Sequence, residues 1–429
     1  MSRLALGLDF GTSGLRAALV DPGGRRLEEV ASPYGRPFEE PAGWLETCTR
    51  LLDRFPREER SMVGAIALDG TSGTLLACRP DGRLLPGAPG RALPYHRACP
   101  EQAGEVQRLT RGEGEAGPAA SSSGSLARAL HLLAGAEAAG ERGPLLLRHQ
   151  ADWVMGWLLG DWRWGEEGNN LRLGWLAGAG RWAGRIADQP WADALPRIRT
   201  SGSVVGTLAP ERAADLGLHR GCLVVAGTTD ANAGVLAASP QDDDGVTVLG
   251  TTLVLKRFVP APIRGPGVSC HRVAGRWLAG GASNAGAGVL RRFYDDAMVH
   301  ELSRQIDPRR DTGLMLRPLP RPGERFPVDD PTLEPVLEPR PVSDALYLQA
   351  LLEGLGAIEA AGWRRLVELG APPVGRVLTL GGGARNPQWR MLRERMLGVP
   401  VLNRPSCTAA LGMALLARGR MGVPGNPPP

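Results

Sequence analysis

Lysine is almost missing from this sequence: Lys256 stands alone among 50 basic residues, all the others being arginine. That scarcity excludes much chemistry. No Gly-Lys pair exists, so there is no Walker A phosphate loop, and any Schiff-base chemistry would rest on Lys256. Asp9-Phe10-Gly11 spells the metal-binding tripeptide of protein kinases, but no His-Arg-Asp loop occurs and the match is chance. Runs of charge are also lacking. The net charge is +5 and the pI about 9.1, yet the arginines are scattered and their longest runs are pairs. With aromatics at 5% and not interleaved with a basic stripe, no nucleic-acid partner is expected. The six cysteines, at 48, 78, 99, 222, 270 and 407, include no Cys-x-x-Cys and read as reduced thiols. His96 and Cys99 stand three apart without a second pair, so no metal site is expected there. No apolar run approaches the ~18 residues of a membrane span. The first residues run directly into a structural motif without an apolar leader core, so a soluble, cytoplasmic protein is expected, with a monomer as one option for its oligomeric state.

What is present is a globular composition, 43% hydrophobic and 22% charged, which excludes disorder, collagen and coiled coil. At 429 residues the chain exceeds the ~250–300 at which single cores stop growing, so two domains are expected. Leu4–Phe10 and Leu15–Val20 flank a Gly-Thr-Ser-Gly turn and predict a β-hairpin. Val63–Leu68 predicts a strand, and Leu223–Ala226 another that leads into a helix over 231–238. Residues 110–145 read as loops and short helices, and 145–164 as a helix with a tryptophan cluster. The hydrophilic stretch after Ala238 marks a boundary, giving domains 1–238 and 239–429. The second half restarts the first. Val246–Leu249, Gly250-Thr251-Thr252 and Leu253–Lys256 repeat strand, turn and strand, which suggests a duplication. Residues 305–342, rich in proline, read as an irregular excursion, followed by a helix through Leu348, Leu351, Leu352, Leu355 and Ile358.

Four constellations carry chemistry. In Asp9-Phe10-Gly11-Thr12-Ser13-Gly14 the glycines admit phosphate oxygens, the Thr12 and Ser13 hydroxyls add donors, and Asp9 suits Mg²⁺ or its waters. An ordinary hairpin turn fits the same residues. Gly250-Thr251-Thr252 repeats that turn. Thr228-Thr229-Asp230 sets a carboxylate at a helix start, suited to a general base and equally to a cap. Gly381-Gly382-Gly383-Ala384-Arg385-Asn386-Pro387-Gln388-Trp389 follows strand Val377–Leu380. Its glycines offer a flat floor on which a planar base can lie between Asn386 and Trp389; a connector with Trp389 in the core is the alternative. Asn386 suits an N-cap, Pro387 a first helical residue and Gly398 a stop.

In this order the four motifs resemble the FGGY family of carbohydrate kinases, and within it most of all the cyanobacterial and plant D-ribulose kinases, short and xylulokinase-like. The resemblance implies an α/β fold of two ribonuclease-H-like (actin-like ATPase) domains with a cleft between them, ATP and Mg²⁺ as cofactors, and a small-molecule sugar as substrate. By position it assigns Asp230 as catalytic base and sugar contact, Asp9 to the metal, the phosphates and the sugar, Thr12 (catalytic) and Ser13 to the transferred phosphoryl, and Gly14 to ATP. Gly250 and Thr251 match the second phosphate motif. Gly288, Gly382, Gly383, Asn386 and Trp389 match the adenosine site. Where xylulokinases carry Ser-Gly-Gln-Met-His-Gly, this chain has Asp69-Gly70-Thr71-Ser72-Gly73-Thr74, which makes Ser72 the candidate sugar contact and D-ribulose the expected substrate. Asn170 is a further candidate. The rivals are D-xylulose or another polyol as substrate, an actin- or chaperone-like ATPase working through a partner, and a silent sugar sensor.

Overall fold

The computed structural model describes residues 3–421. The chain forms two units. The first comprises the residues up to Ala237, Arg272–Gly275 and the segment from Thr408 onward; the second comprises Ala238–His271 and Arg276–Cys407.

The first unit is built on strands β1 (Leu4–Phe10), β2 (Gly14–Val20), β3 (Arg26–Pro33), β4 (Val63–Gly70), β5 (Val204–Thr207) and β6 (Leu223–Val225). They form one sheet in the order β5-β6-β4-β1-β2-β3. β1, β2 and β3 are antiparallel neighbours, whereas β1, β4 and β6 run parallel. β1 and β4 are buried along their whole length, as near-continuous apolar runs in a sheet covered on both faces should be. Helix α1 (Ser125–Ala138) packs against the short strand Leu75–Cys78, while α2 (Gln150–Leu159) and α3 (Asp230–Ala237) lie against this sheet.

The second unit repeats the plan with β7 (Asp244–Leu249), β8 (Leu253–Val259), β9 (Val268–Val273), β10 (Arg276–Ala282), β11 (Arg376–Leu380) and β12 (Val401–Asn403). Its sheet order is β9-β10-β8-β7-β11-β12, with β7-β8 and β8-β10 antiparallel and β7, β11 and β12 parallel. Each sheet thus joins an antiparallel meander to parallel strands, as expected of a duplicated α/β domain. Helices α4 (Asp296–Ser303), α5 (Asp344–Glu368) and α6 (Pro387–Leu397) complete the unit. α5 buries Leu348, Leu351, Leu352 and Leu355 completely. A buried pair joins it to the sheet: the Arg393 guanidinium on α6 donates to both Glu359 oxygens at 2.5 and 2.6 Å and to Thr379 Oγ1 at 2.7 Å. Thr247 Oγ1 also donates to Glu359, at 2.6 Å. These bonds fix α6 against β7 and β11, and with it the glycine turn before α6.

Three features depart from the sequence reading. Helix α7 (Ala409–Arg418), which the 239–429 boundary gives to the second domain, belongs to the first unit. Small residues admit it. A Cβ on Gly7 would lie 2.0 Å from Ala410 O, and one on Gly412 would lie 1.9 Å from Ala233 O. Within 110–145 there is a regular helix of 14 residues, α1, whose Leu126, Leu130 and Leu132 are buried. In 145–164 the first residues form a strand, Leu146–His149, paired with Leu75–Cys78, before α2 begins. Among the described residues no helix is long and apolar enough to cross a membrane.

Candidate active site

In the first unit, β1, β4 and β6 run parallel, so their C-terminal ends come out side by side. Register places Asp9 of β1 directly against Asp69 of β4. Thr229 bridges Gly70, which brings Asp230, the first residue of α3, to the same edge. Three carboxylates therefore share one end of one sheet. Asp9 is buried and accepts from Arg16 Nη1 at 3.2 Å. Asp69 is fully buried, and neither of its carboxylate oxygens has a hydrogen-bond partner among the described residues. Burial first, then the neighbouring Asp9 and Asp230 carboxylates, push the Asp69 carboxyl well above the usual range. Asp230 is half-buried, and its Oδ1 accepts the Ala231 N–H at 2.9 Å. Desolvation by the surrounding protein raises its carboxyl to about 6, against the pull of the Ala231 N–H and Arg172. An acid of that strength is ionised near neutrality and still a competent base. A buried carboxyl with orphaned oxygens beside Asp9 also fits a divalent cation, by charge and by donor type.

Above these strand ends, Thr12 and Ser13 are exposed in the β1–β2 turn, while its backbone is anchored by Tyr34, whose hydroxyl donates to Gly11 O at 2.9 Å. Gly14 is required where β2 meets β3, since a Cβ there would lie 2.4 Å from Ser32 O. In the Asp69–Thr74 turn the Thr71 hydroxyl lies 2.6 Å from that of Thr74 and 2.8 Å from Gln150 Oε1. Both threonine hydroxyls are thus spent on holding the turn, and Ser72 remains half-buried beside them. Asn170 is fully buried, donating to Asp152 Oδ2 at 3.0 Å and Glu166 O at 2.7 Å, so the structure places it in a packed polar network.

In the second unit a cavity of about 500 Å³ is lined by Gly250, Thr251, Gly288, Gly382, Gly383, Asn386 and Trp389, the residues singled out from sequence for the nucleotide. Close contacts explain two of these glycines and the Gly381 that precedes them. Gly288 N donates to Thr251 O at 3.2 Å, and a Cβ on Gly288 would lie 2.7 Å from the Thr251 side chain. Gly381 turns with φ +83°, and a Cβ on Gly383 would lie 2.6 Å from Leu249 and 2.7 Å from the Trp389 ring. Asn386 caps α6 through Trp389 N at 3.0 Å, and its Nδ2 donates to Ser303 Oγ at 2.8 Å. The sequence reading sets Trp389 beside a bound base; the structure buries it under Gly383, as part of the cavity floor. Lys256 is buried against Ser269 at 3.4 Å and does not line the cavity, but Arg291, Arg304 and Arg385 do. In this unit the β7 and β11 ends facing each other are Val248 and Leu380, where the first unit has Asp9 and Asp69. One copy of the fold carries the carboxylates, the other an apolar floor.

Residues 245–418 match the model of the C-terminal domain of the FGGY family of carbohydrate kinases. The chain is also 24% identical, over 262 residues, to an autoinducer-2 kinase of Yersinia enterocolitica, covering 54% of this chain and 48% of the relative. It thus spans about half the length of the curated relatives it matches. The fold is similar to a xylulose kinase from Brucella ovis (TM-score 0.82, 21% identity, 97% of this chain and 90% of that one). It is also similar to glycerol kinase from Plasmodium falciparum with ADP (TM-score 0.78, 13% identity, 97% and 89%). These likenesses give the fold: two sheet-containing domains of the actin-like ATPase type. The FGGY match ends at 418 and so takes in α7, although that helix packs in the first unit.

The structure adds residues that the sequence reading passed over. Asp69 ends an apolar strand run and precedes Gly-Thr-Ser-Gly, as Asp9 does with one residue more between, and that repetition is visible in the sequence. Val299, His300 and Ser303 of α4 line the cavity of the second unit with no local motif to mark them.

Proposed function

We propose that this chain is an ATP-dependent sugar kinase that converts D-ribulose to D-ribulose 5-phosphate. The observation that carries the reading is the half-buried Asp230, its carboxyl raised to about 6, on the sheet edge it shares with Asp9 and Asp69. Asp230 accepts the proton of the terminal sugar hydroxyl as that oxygen attacks the γ-phosphorus. Asp9 would hold Mg²⁺, which when bound neutralises charge on the phosphates. Thr12 and Ser13 present hydroxyls to the transferred group. Nucleotide binding falls to the glycine-lined cavity of the second unit, whose arginines suit polyphosphate. Phosphoryl transfer asks little more of a protein than alignment and charge neutralisation.

The ketopentose assignment rests on the Asp69–Thr74 turn. The Thr71 and Thr74 hydroxyls are bonded to each other, Thr71 also donates to Gln150 and Thr74 accepts from Tyr95 N, leaving Ser72 and backbone to meet the sugar. A wall of short groups, without the longer Gln and His of the xylulokinase sequence, favours a different epimer, because a site rejects the epimer that leaves its polar groups unpaired. Proteins of this fold include a xylulose kinase and a gluconate kinase by name, so D-xylulose is the competitor to test. Comparison of kcat/KM for D-ribulose, D-xylulose, L-ribulose and glycerol decides it. D-ribulose should lead, and D-xylulose ahead by about tenfold would sink the turn argument.

A further inference from the structure

Away from the carboxylate edge, Cys99, Glu101 and His131 bring one sulfur, one carboxylate oxygen and one imidazole nitrogen to within 4.8 Å of one another. Among the described residues no other group of three such side chains comes together in this way. The sequence reading dismissed Cys99 because it looked for a partner nearby in the chain; the partner is His131, 32 positions on, brought back by α1. Glu101 and His131 already touch, His131 Nδ1 lying 2.7 Å from Glu101 Oε1. Taken alone, that contact is a surface ion pair. The buried Cys99 beside it turns the pair into a mixed S, N, O donor set.

We propose that Cys99, Glu101 and His131 form a binding site for a borderline-soft divalent cation, Zn²⁺ in the first instance, distinct from the Mg²⁺ of phosphoryl transfer. Bonds of about 2.3 Å to sulfur and about 2.0–2.2 Å to nitrogen and oxygen set tetrahedral donors roughly 3.3–3.6 Å apart. Metal entry therefore needs the Glu101–His131 contact, now 2.7 Å, to open by under an ångström, and Cys99, within 4.8 Å of both, to close by at most about 1.2 Å. Thiolate with imidazole selects Zn²⁺ over the hard, oxygen-seeking Mg²⁺. Three protein donors leave a fourth position for water. Binding releases the Cys99 thiol proton to solvent, and His131 coordinates as the neutral ring.

The site would brace one particular joint. One turn before His131 on α1, the buried Arg128 donates to the carbonyls of Tyr95 and Arg97, and to that of Gly73 in the sugar turn, at 3.0, 2.8 and 2.9 Å. A cation linking Cys99 to His131 ties the same two segments a second time. Its occupancy should slow exchange of backbone amides in 95–102 and 125–135.

The test is Zn²⁺ titration of the full chain against a chromophoric chelator, in excess Mg²⁺, with hydrogen exchange in parallel. One Zn²⁺ should bind per chain. Cys99→Ser and His131→Gln should each weaken it by about tenfold or more, while Cys407→Ser leaves it unchanged. Co²⁺ should give a thiolate charge-transfer band that Cys99→Ser abolishes, and amides in 95–102 should be protected only with metal. His131→Gln, on a half-exposed residue, supplies the answer should Cys99→Ser not fold. Absence of saturable binding, or equal binding in either folded variant with the cobalt band intact, overturns the site. Because the readout is binding, neither result depends on the kinase assignment.

Discussion

Asp9 and Asp69 face each other in register across two parallel strands, and only Asp9 has a cation, Arg16, bonded to it at 3.2 Å. Asp69 lies beneath, fully buried, with its carboxyl held well above the usual range by desolvation and by Asp9. A carboxyl raised in the folded state stabilises it at low pH, and that contribution is lost as pH rises through the folded-state value. Asp69→Asn, which carries no charge to desolvate, should therefore melt a few degrees above the wild type at pH 8. The gap should shrink as pH falls toward 4. Thermal unfolding across pH measures it, and a variant less stable at pH 8 than at pH 5 relative to wild type would show that Asp69 works ionised.

Asp230 sets a pH profile. With its carboxyl at about 6, kcat/KM for the sugar should fall below that pH, approaching tenfold per unit as the base protonates. Asp230→Asn should keep ATP affinity and melting temperature while losing ~10²–10⁴-fold in turnover. An acid limb near pH 4, or wild-type turnover in the variant, makes Asp230 a helix-start residue and nothing more.

Two adjacent glycines should separate fold from binding. A Cβ at Gly382 meets nothing within 4 Å, so Gly382→Ala should melt like wild type and raise the KM for ATP by filling part of the cavity. At Gly381 the φ of +83° and a contact of 2.6 Å with Leu249 O oppose any side chain. Gly381→Ala should cost ~1–3 kcal/mol of stability as well. Equal melting temperatures for the two would refute this reading of the turn.

Trp389 and Asn386 should act through stability first. Trp389→Ala empties a buried site, at ~3–5 kcal/mol. Asn386→Ala removes the cap on α6 and the bond to Ser303, at ~0.5–2 kcal/mol. Denaturant unfolding of both, with ATP KM measured on the folded fraction, checks the order. A Trp389→Ala protein of undiminished stability would place the ring outside the core.

Much of the fold was legible because its signals are local. Both hairpins sit on Gly-Thr turns between apolar runs, and the Asn386 cap, Pro387 start and Gly398 stop of α6 lie within one short stretch. What escaped depends on distant partners. The Leu146–His149 strand exists because Leu75–Cys78 pairs with it, and its apolar run is indistinguishable from the start of the helix that follows. α1 was hidden by the Gly- and Ser-rich residues on either side, although its own Ala and Leu favour helix. The placement of α7 depends on Gly7, some 400 residues away, lacking a side chain. At the site the motif residues were readable and Asp69 carried a visible repeat of the Asp9 turn, whereas Arg16 and the α4 wall of the cavity acquire meaning only through register and packing.

The central proposal is direct phosphoryl transfer from ATP to a sugar hydroxyl, with Asp230 as the base that takes the hydroxyl proton. Coupled ADP release, with and without D-ribulose, in wild type and Asp230→Asn, tests it most directly. The account predicts little ADP without sugar, strong stimulation by D-ribulose in wild type, and none in the variant. ATP hydrolysis indifferent to every sugar offered, or equal stimulation in Asp230→Asn, would contradict it.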